Sequence, residues 1–226
     1  LLLLIVLFLG SCKSALEKKT WKEGILVDQF VYDKAPYPSC HSITIVEATN
    51  GDLVSAWFGG SHERHPDVCI YSAIKPKGSD KWSEPIKVAD GVMKDGTRFP
   101  TWNPVLYQIL GGDLMLFYKI GPKPSEWWGV YRTSSDGGKT WSDKIDMPSK
   151  DFLGPIKNKP VLLSNGTLLL PSSTEGNGWH LRMESTPDFG KTWVMGDTIS
   201  RGKQKINAIQ PSILFHKDGS IQAIGR

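Results

Sequence analysis

Nowhere in its 226 residues does the chain carry an apolar run long enough to span a bilayer: the longest, Leu1 to Leu9, is nine residues, where about 20 are needed. A basic tract is also missing. Net charge is only +4 and the 27 Lys and Arg are scattered, which argues against a dedicated nucleic-acid binder. Cysteine is scarce, with three residues, too few for a disulfide-built scaffold. At 39% hydrophobic and 22% charged, the composition excludes wholesale disorder and fibrous repeats. The length allows one large or two small domains with a sizeable core. What the chain has in excess is tryptophan, nine residues, a type that marks packed β-rich cores or flat platforms for ring-shaped ligands.

The apolar run Leu1 to Leu9 reads as the h-region of a signal peptide whose Met and basic n-region are absent. Leu9-Gly10-Ser11-Cys12 looks like a bacterial lipobox. The expectation is therefore an exported lipoprotein, periplasmic or at the cell surface, with Cys12 lipidated, residues 1–12 as leader and 13–24 as tether. Contact with the membrane would be through the lipid anchor only. Export leaves Cys40 and Cys69 free to pair or to act as small buried hydrophobes; burial is favoured because Cys69 lies in an apolar run. The chain stops at Arg226 within a predicted strand, so a truncated domain is expected.

Four segments share one plan of apolar strand, glycine turn and apolar strand: SITIVEATNGDLVSAWF, NPVLYQILGGDLMLFY, KPVLLSNGTLLLPSS and QPSILFHKDGSIQAIG. Asn50-Gly51, Gly111-Gly112, Asn165-Gly166 and Asp218-Gly219 predict two-residue hairpins with positive φ. The turn glycines 51, 112, 166 and 219 recur at spacings of 61, 54 and 53. Between them lies a second hairpin unit, built twice as Ser134-x-Asp136-x-Gly138-x-Thr140-Trp141 and Thr186-x-Asp188-x-Gly190-x-Thr192-Trp193, and degraded once to Gly78-Ser79-Asp80-Lys81-Trp82. In that unit the Asp should accept turn amides, the Gly take positive φ, and the Trp plug the layer beneath. Four antiparallel strands per period predict an all-β fold, a β-propeller of four-stranded blades over residues 25–226. Three blades and half a fourth fit this length, and closure at six or seven blades would take roughly 330 to 390 residues. Ile25 to Tyr32 is expected to be an outer strand closing the ring against a last blade missing from this sequence.

Short turns occupy one face of such a ring, and the long loops between second and third strands and between blades occupy the other, where function is expected. That face gathers His41, His62, Arg64, His65, Arg98, Lys119, Lys123, Lys157, Lys159, Lys203 and Lys205 against few acids, chiefly Glu63, Asp67, Glu126 and Glu175. The cation surplus suits an anionic ligand, and Trp102, Trp127, Trp128 and Trp179 suit stacking on sugar rings. One of the adjoining Trp127 and Trp128 is expected to face the core. His62-x-x-His65 has no third ligand in view, so no metal and no cofactor is expected.

The repeated Ser-x-Asp-x-Gly-x-Thr-Trp hairpins resemble the Asp-box, or BNR, repeats of the sialidase superfamily. From residue 36 to 226, AWFGGSHERHPDV, WNPVLY, FYKIGP, EWWG, GPIKNKP, PSSTE and AIQPSIL are similar to the wording of its secreted bacterial members. The resemblance implies removal of a terminal acidic sugar from a glycan. In that family an arginine triad grips the sugar carboxylate, a Tyr–Glu pair is the nucleophile, and a first-blade Asp is the acid/base. Here Ser39-Cys40-His41 stands where the family has Arg-Ile-Pro, and Glu63 matches the acid position better than Asp67. Related propellers are polysaccharide lyases of uronate glycans with His and Tyr in place of Arg, and His41, Arg64 and Arg98 could serve such an elimination. Catalytic candidates are accordingly His41, Glu63, Arg64 and Asp67. Binding candidates are Arg98, Trp102, Asn103, Lys119, Trp127, Trp128, Lys157, Asn158, Lys159, Glu175, Gln210 and Arg226. The competing expectation is a non-catalytic lipoprotein that captures acidic oligosaccharides; a purely structural propeller is the third.

Overall fold

Alternation in the strand sequences builds the architecture. The computed structural model describes residues 24–226; Cys12, the apolar leader and nearly all of the tether lie outside the described residues. Among the described residues sixteen strands form in chain order. The first sheet holds β1 (Ser39–Glu47), β2 (Leu53–Gly60), β3 (Cys69–Lys75) and β4 (Ile86–Ala89). The second holds β5 (Thr101–Gln108), β6 (Leu114–Ile120), β7 (Trp128–Ser134) and β8 (Ile145–Asp146). The third holds β9 (Val161–Leu162), β10 (Leu168–Thr174), β11 (His180–Thr186) and β12 (Val194–Met195). In each sheet the strands lie side by side in chain order, and every pair is antiparallel. Two hairpins follow, β13 (Ser200–Arg201) with β14 (Gln204–Lys205) and β15 (Ser212–Phe215) with β16 (Ile221–Ile224). These are propeller blades, three of four strands and the first hairpin of another, as the repeat predicts.

β6 shows why the sequence reads as continuously apolar. Leu114, Leu116, Tyr118 and Ile120 point into one cluster with Val54, Phe58 and Ile70 of the first blade. Met115 and Phe117 point the other way, into a cluster with Leu168 and Leu170 of the third. Side chains alternate with period two, so a strand sandwiched between blades must be apolar on both faces. Lys119 shares the Met115–Phe117 face and is wholly buried. The Asp boxes staple the same layers. Asp136 accepts hydrogen bonds from Thr140 N at 2.9 Å, Thr140 Oγ1 at 2.6 Å and Ser134 Oγ at 2.8 Å; Asp188 repeats the pattern with Thr192 and Thr186. Trp141 packs on the first cluster, and Trp193 meets Phe117 and Tyr131 on the second.

One expectation is corrected. The first-unit hairpins are not two-residue turns: Gly51 N donates to Ala48 O while Ala48 N donates to Asp52 O, which closes three-residue loops, and the pattern recurs at 109–113, 163–167 and 216–220. Only one residue per loop takes positive φ, Gly51 at 84°, Gly111 at 68°, Gly166 at 83° and Gly219 at 84°, whereas a two-residue type I′ turn needs two. Residues 25–32 pair with no strand among the described residues, whose ladders all lie within 39–224; the ring-closing partner expected for them is a last blade.

Candidate functional site

The inner strands reach the loop-rich face through a shared irregularity. β1 slips register between His41 and Thr44, and β5 between Trp102 and Val105. Ser42 (φ 61°) and Asn103 (φ 39°) sit in those bulges, and Gln210 (φ 54°) holds the matching place before β15. Each lies nine residues ahead of its turn glycine, Gly51, Gly112 or Gly219. Left-handed backbone at a non-glycine residue is uncommon, and a bulge re-aims a strand at a rim.

In the third blade that position is filled by Lys157-Asn158-Lys159, and two buried charges hold the segment leading to it. Glu184, fully buried on β11, accepts Leu153 N at 3.0 Å, Gly154 N at 2.7 Å and Ser172 Oγ at 2.8 Å, and pairs with Arg182 Nη2 at 3.0 Å. From the other side Lys119 Nζ donates to the Pro155 carbonyl and, at 3.4 Å, to Ile156 O. Burial drives the Lys119 ammonium down to about 7, against an opposing pull from Glu184. The segment is thus pinned through its amides by a carboxylate and through its carbonyls by a lysine. Sequence reading missed Glu184. The available signal was its period-two alignment with Thr186, the buried first residue of the Asp box.

Beyond the pinned segment, charged side chains converge. Asn158 Nδ2 donates to Gln210 O at 2.8 Å, Gln210 N to Ser173 Oγ at 3.1 Å, and Arg226 Nε to Gln210 Oε1 at 2.9 Å. Lys157 Nζ donates to Ile43 O at 3.3 Å and Lys159 Nζ to Ile45 O, both on the free side of β1. Burial lowers both lysines from their usual range. Burial raises the Glu175 carboxyl, and the Arg226 guanidinium pulls it partly back. Glu175 also lines a cavity of about 210 Å³ with Trp127, Lys150, Asp151, Thr174 and Arg182. Lys157 and Lys159 thus reach β1 from the segment that Asn158 ties to Gln210, and Arg226, on the same Gln210, acts on Glu175.

The other candidates divide. The loop after β2 carries His62, Glu63, Arg64, His65 and Asp67 together, but of its two acids Asp67 is committed. Burial pushes the Asp67 carboxyl up, yet hydrogen bonds from Ser61 and His65 outweigh it and hold the group at about 2. Ser61 donates through its amide at 3.0 Å and hydroxyl at 2.5 Å, and His65 Nδ1 lies 2.8 Å away. An acid so held is ionised at neutral pH and cannot lend a proton. Glu63 and Arg64 are exposed, Arg64 at φ 77°. Arg98 serves this loop, donating to Pro66 O at 2.8 Å, Asp67 O at 3.3 Å and Cys69 Sγ at 3.2 Å. His41 is exposed and edge-on to Phe58; by the repeat it fills the slot of Trp102, Ile156 and Ile209, which are all buried.

The platform expectation needs correction. Trp102 is buried with its Nε1 on Gly121 O at 2.8 Å, and Trp127 packs edge-on against it. Trp102 has no face to offer a sugar, and Trp127 is 7% exposed, beside the small cavity. Asn103 and Lys119 are likewise buried by the bulge and the interblade layer. Trp128 remains partly open and Trp179 is exposed. Cys40 and Cys69 are both free thiols, Cys69 buried and Cys40 exposed. Each pairs with Gly59 from opposite sides, which sets them two strand spacings, roughly 10 Å, apart, beyond disulfide reach. Among the described residues no cluster of His, Cys, Asp or Glu could hold a metal ion.

Comparison with known proteins gives this geometry relatives. The family described as BNR repeat-like domain matches residues 51–226. A sialidase of Paraclostridium sordellii is 27% identical over 103 residues, 38% of this chain and 25% of that protein. Among solved structures, a protein of unknown function from Dyadobacter fermentans superposes with a TM-score of 0.64 at 16% identity, covering 83% of this chain and 62% of that one. A Trypanosoma rangeli sialidase in complex with sialic acid gives 0.60 at 14% identity, covering 80% of this chain and 33% of that one. The chain spans about a quarter of the length of the curated relative.

Proposed function

The chain belongs to the BNR repeat-like domain family, and from that premise we propose a carbohydrate-active enzyme that removes a terminal acidic sugar from a glycan, exported and held at the membrane by lipid on Cys12. The observation that carries the reading is the gathering of Lys157, Lys159 and Arg226 at the inner-strand ends, with Arg226 acting on the half-buried Glu175 carboxyl. Each lysine uses one of its three donors on a β1 carbonyl and keeps the others for a ligand carboxylate. Arg226 presents a planar fork suited to the same group. Glu175, raised by burial, is the acid on this face suited to protonate a leaving oxygen. His41, exposed on β1 two residues before the Ile43 carbonyl that Lys157 engages, is the candidate base.

The product separates the two chemistries. The intact protein is incubated with α-linked sialosides and with uronate-terminated oligosaccharides, and products are read by mass spectrometry and absorbance near 235 nm. Hydrolysis adds one water and gives no chromophore; elimination leaves an unsaturated uronate that absorbs. Release of an acidic sugar by either route supports the reading, and release from neutral glycans only would refute it. The commitment of Asp67 and Arg98 to their own loop favours a second reading, a propeller that binds acidic oligosaccharides without turning them over. It predicts binding with no product across the same panel.

A further inference from the structure

A second cavity, of about 850 Å³, opens on the loop-rich face between the connection from the first blade to the second and the outer strands of the second. Its floor is apolar, with Phe99, Trp128 and Met147 among its lining residues. Phe99 and Trp128 meet edge to face at 5.6 Å between centroids. The indole of Trp128 is partly open, and the Lys150 ammonium stands 5.8 Å above its ring. The lining holds three lysines, Lys94, Lys144 and Lys150, against two carboxylates, Asp95 and Asp146, a surplus of one cation. Asp146 is occupied by Lys144, and Asp95 accepts the Thr97 amide at 2.9 Å within its own turn. Lys94 and Lys150 have no ion pair among the described residues. Lys150 also lines the smaller cavity that Glu175 borders, so one side chain links the two cavities.

We propose that the larger cavity is a distal subsite for a longer acidic glycan, taking a sugar unit one or more residues away from the terminal one. The ring would lie with its C–H face on Trp128, and its carboxylate would meet Lys94, with Lys150 swinging off the indole to bridge toward the Glu175 cavity. This inference rests on the reading of the funnel mouth as an acidic-sugar site. An apolar floor alone would suit many ligands; an open indole under a cation, with one lysine in surplus over the rim carboxylates, favours a ring that is anionic.

The test is calorimetric titration of the intact protein with oligouronates and oligosialates of one and of four units, and with a neutral tetrasaccharide. The four-unit acidic ligand should bind about tenfold more tightly than the single unit, the gain expected from one added stacked and charged contact. Lys94→Glu should abolish that gain and leave single-unit affinity unchanged; Trp128→Leu should also abolish the gain, with circular dichroism confirming its fold. A gain that survives Lys94→Glu, a gain matched by the neutral ligand, or equal affinity for one and four units would overturn the subsite while leaving the terminal site intact. Failure of every acidic ligand to bind would overturn the terminal-site reading, and the subsite with it.

Discussion

Replacing Glu184 with glutamine keeps the side chain's shape and removes its charge, which isolates what the buried carboxylate does. In the native structure its two oxygens receive four donors: the amides of Leu153 and Gly154, the hydroxyl of Ser172 and the guanidinium of Arg182. An amide side chain offers one oxygen and one NH2, so at least one of these donors would face another donor in a dry layer. Arg182 would lose its counter-charge at 12% side-chain exposure. Breaking a buried, hydrogen-bonded pair from one side costs about 3–5 kcal/mol. For a domain of this size that lowers the thermal midpoint by roughly 6–20 °C. Urea unfolding monitored by tryptophan fluorescence measures it directly. Lys119→Met acts on the same segment from the other side, so the double variant should lose less than the sum of the two singles. A Glu184→Gln protein within about 0.5 kcal/mol of the native one, the range of ordinary surface changes, would refute the view that this carboxylate anchors residues 153–156.

Three further outcomes follow from the same contacts. Because burial lowers the folded-state values of Lys119, Lys157 and Lys159, the unfolded chain binds more protons between pH 7 and the usual lysine range; their linkage contribution should make stability rise from about pH 7 to about pH 10, and Lys119→Met should flatten that rise in urea melts at each pH. Trp193→Ala, which empties the contact with Phe117 and Tyr131, should cost about 3 kcal/mol, while Trp179→Ala on the exposed loop should cost less than about 0.5 kcal/mol, both read by denaturant midpoint. Arg98→Ala removes the donors to Pro66 O and Asp67 O and should expose residues 61–68 to limited proteolysis without shifting the global midpoint by more than a few degrees.

The blades were legible in the sequence because their signals are local. Gly51, Gly112, Gly166 and Gly219 mark loops whose geometry one or two residues decide, and Asp136 and Asp188 bond only within their own hairpins. Which tryptophans point outward was not legible, since Trp102 and Trp128 lie in similar apolar stretches and the difference is set by the neighbouring blade. The role of Asp67 was hidden for another reason: its partners Ser61 and His65 become partners only once the loop closes on itself. Lys119 reads as a loop-face cation, yet it sits in the Met115–Phe117 register, and that parity alone places it between blades. Glu184 carried the same parity signal. That Lys157-Asn158-Lys159 lies against the inner strands was legible, because prolines at 155 and 160 bracket it next to one of them.

The most direct test of an acidic-glycan site at the inner-strand ends is the affinity of the intact protein for an acidic oligosaccharide before and after the paired change Lys157→Ala and Lys159→Ala. The account predicts binding that weakens with added salt, falls by about tenfold or more in the paired variant, and leaves the urea midpoint nearly unmoved. Binding of equal strength in the paired variant, or equal affinity for the same oligosaccharide with its carboxylates reduced to alcohols, would contradict it.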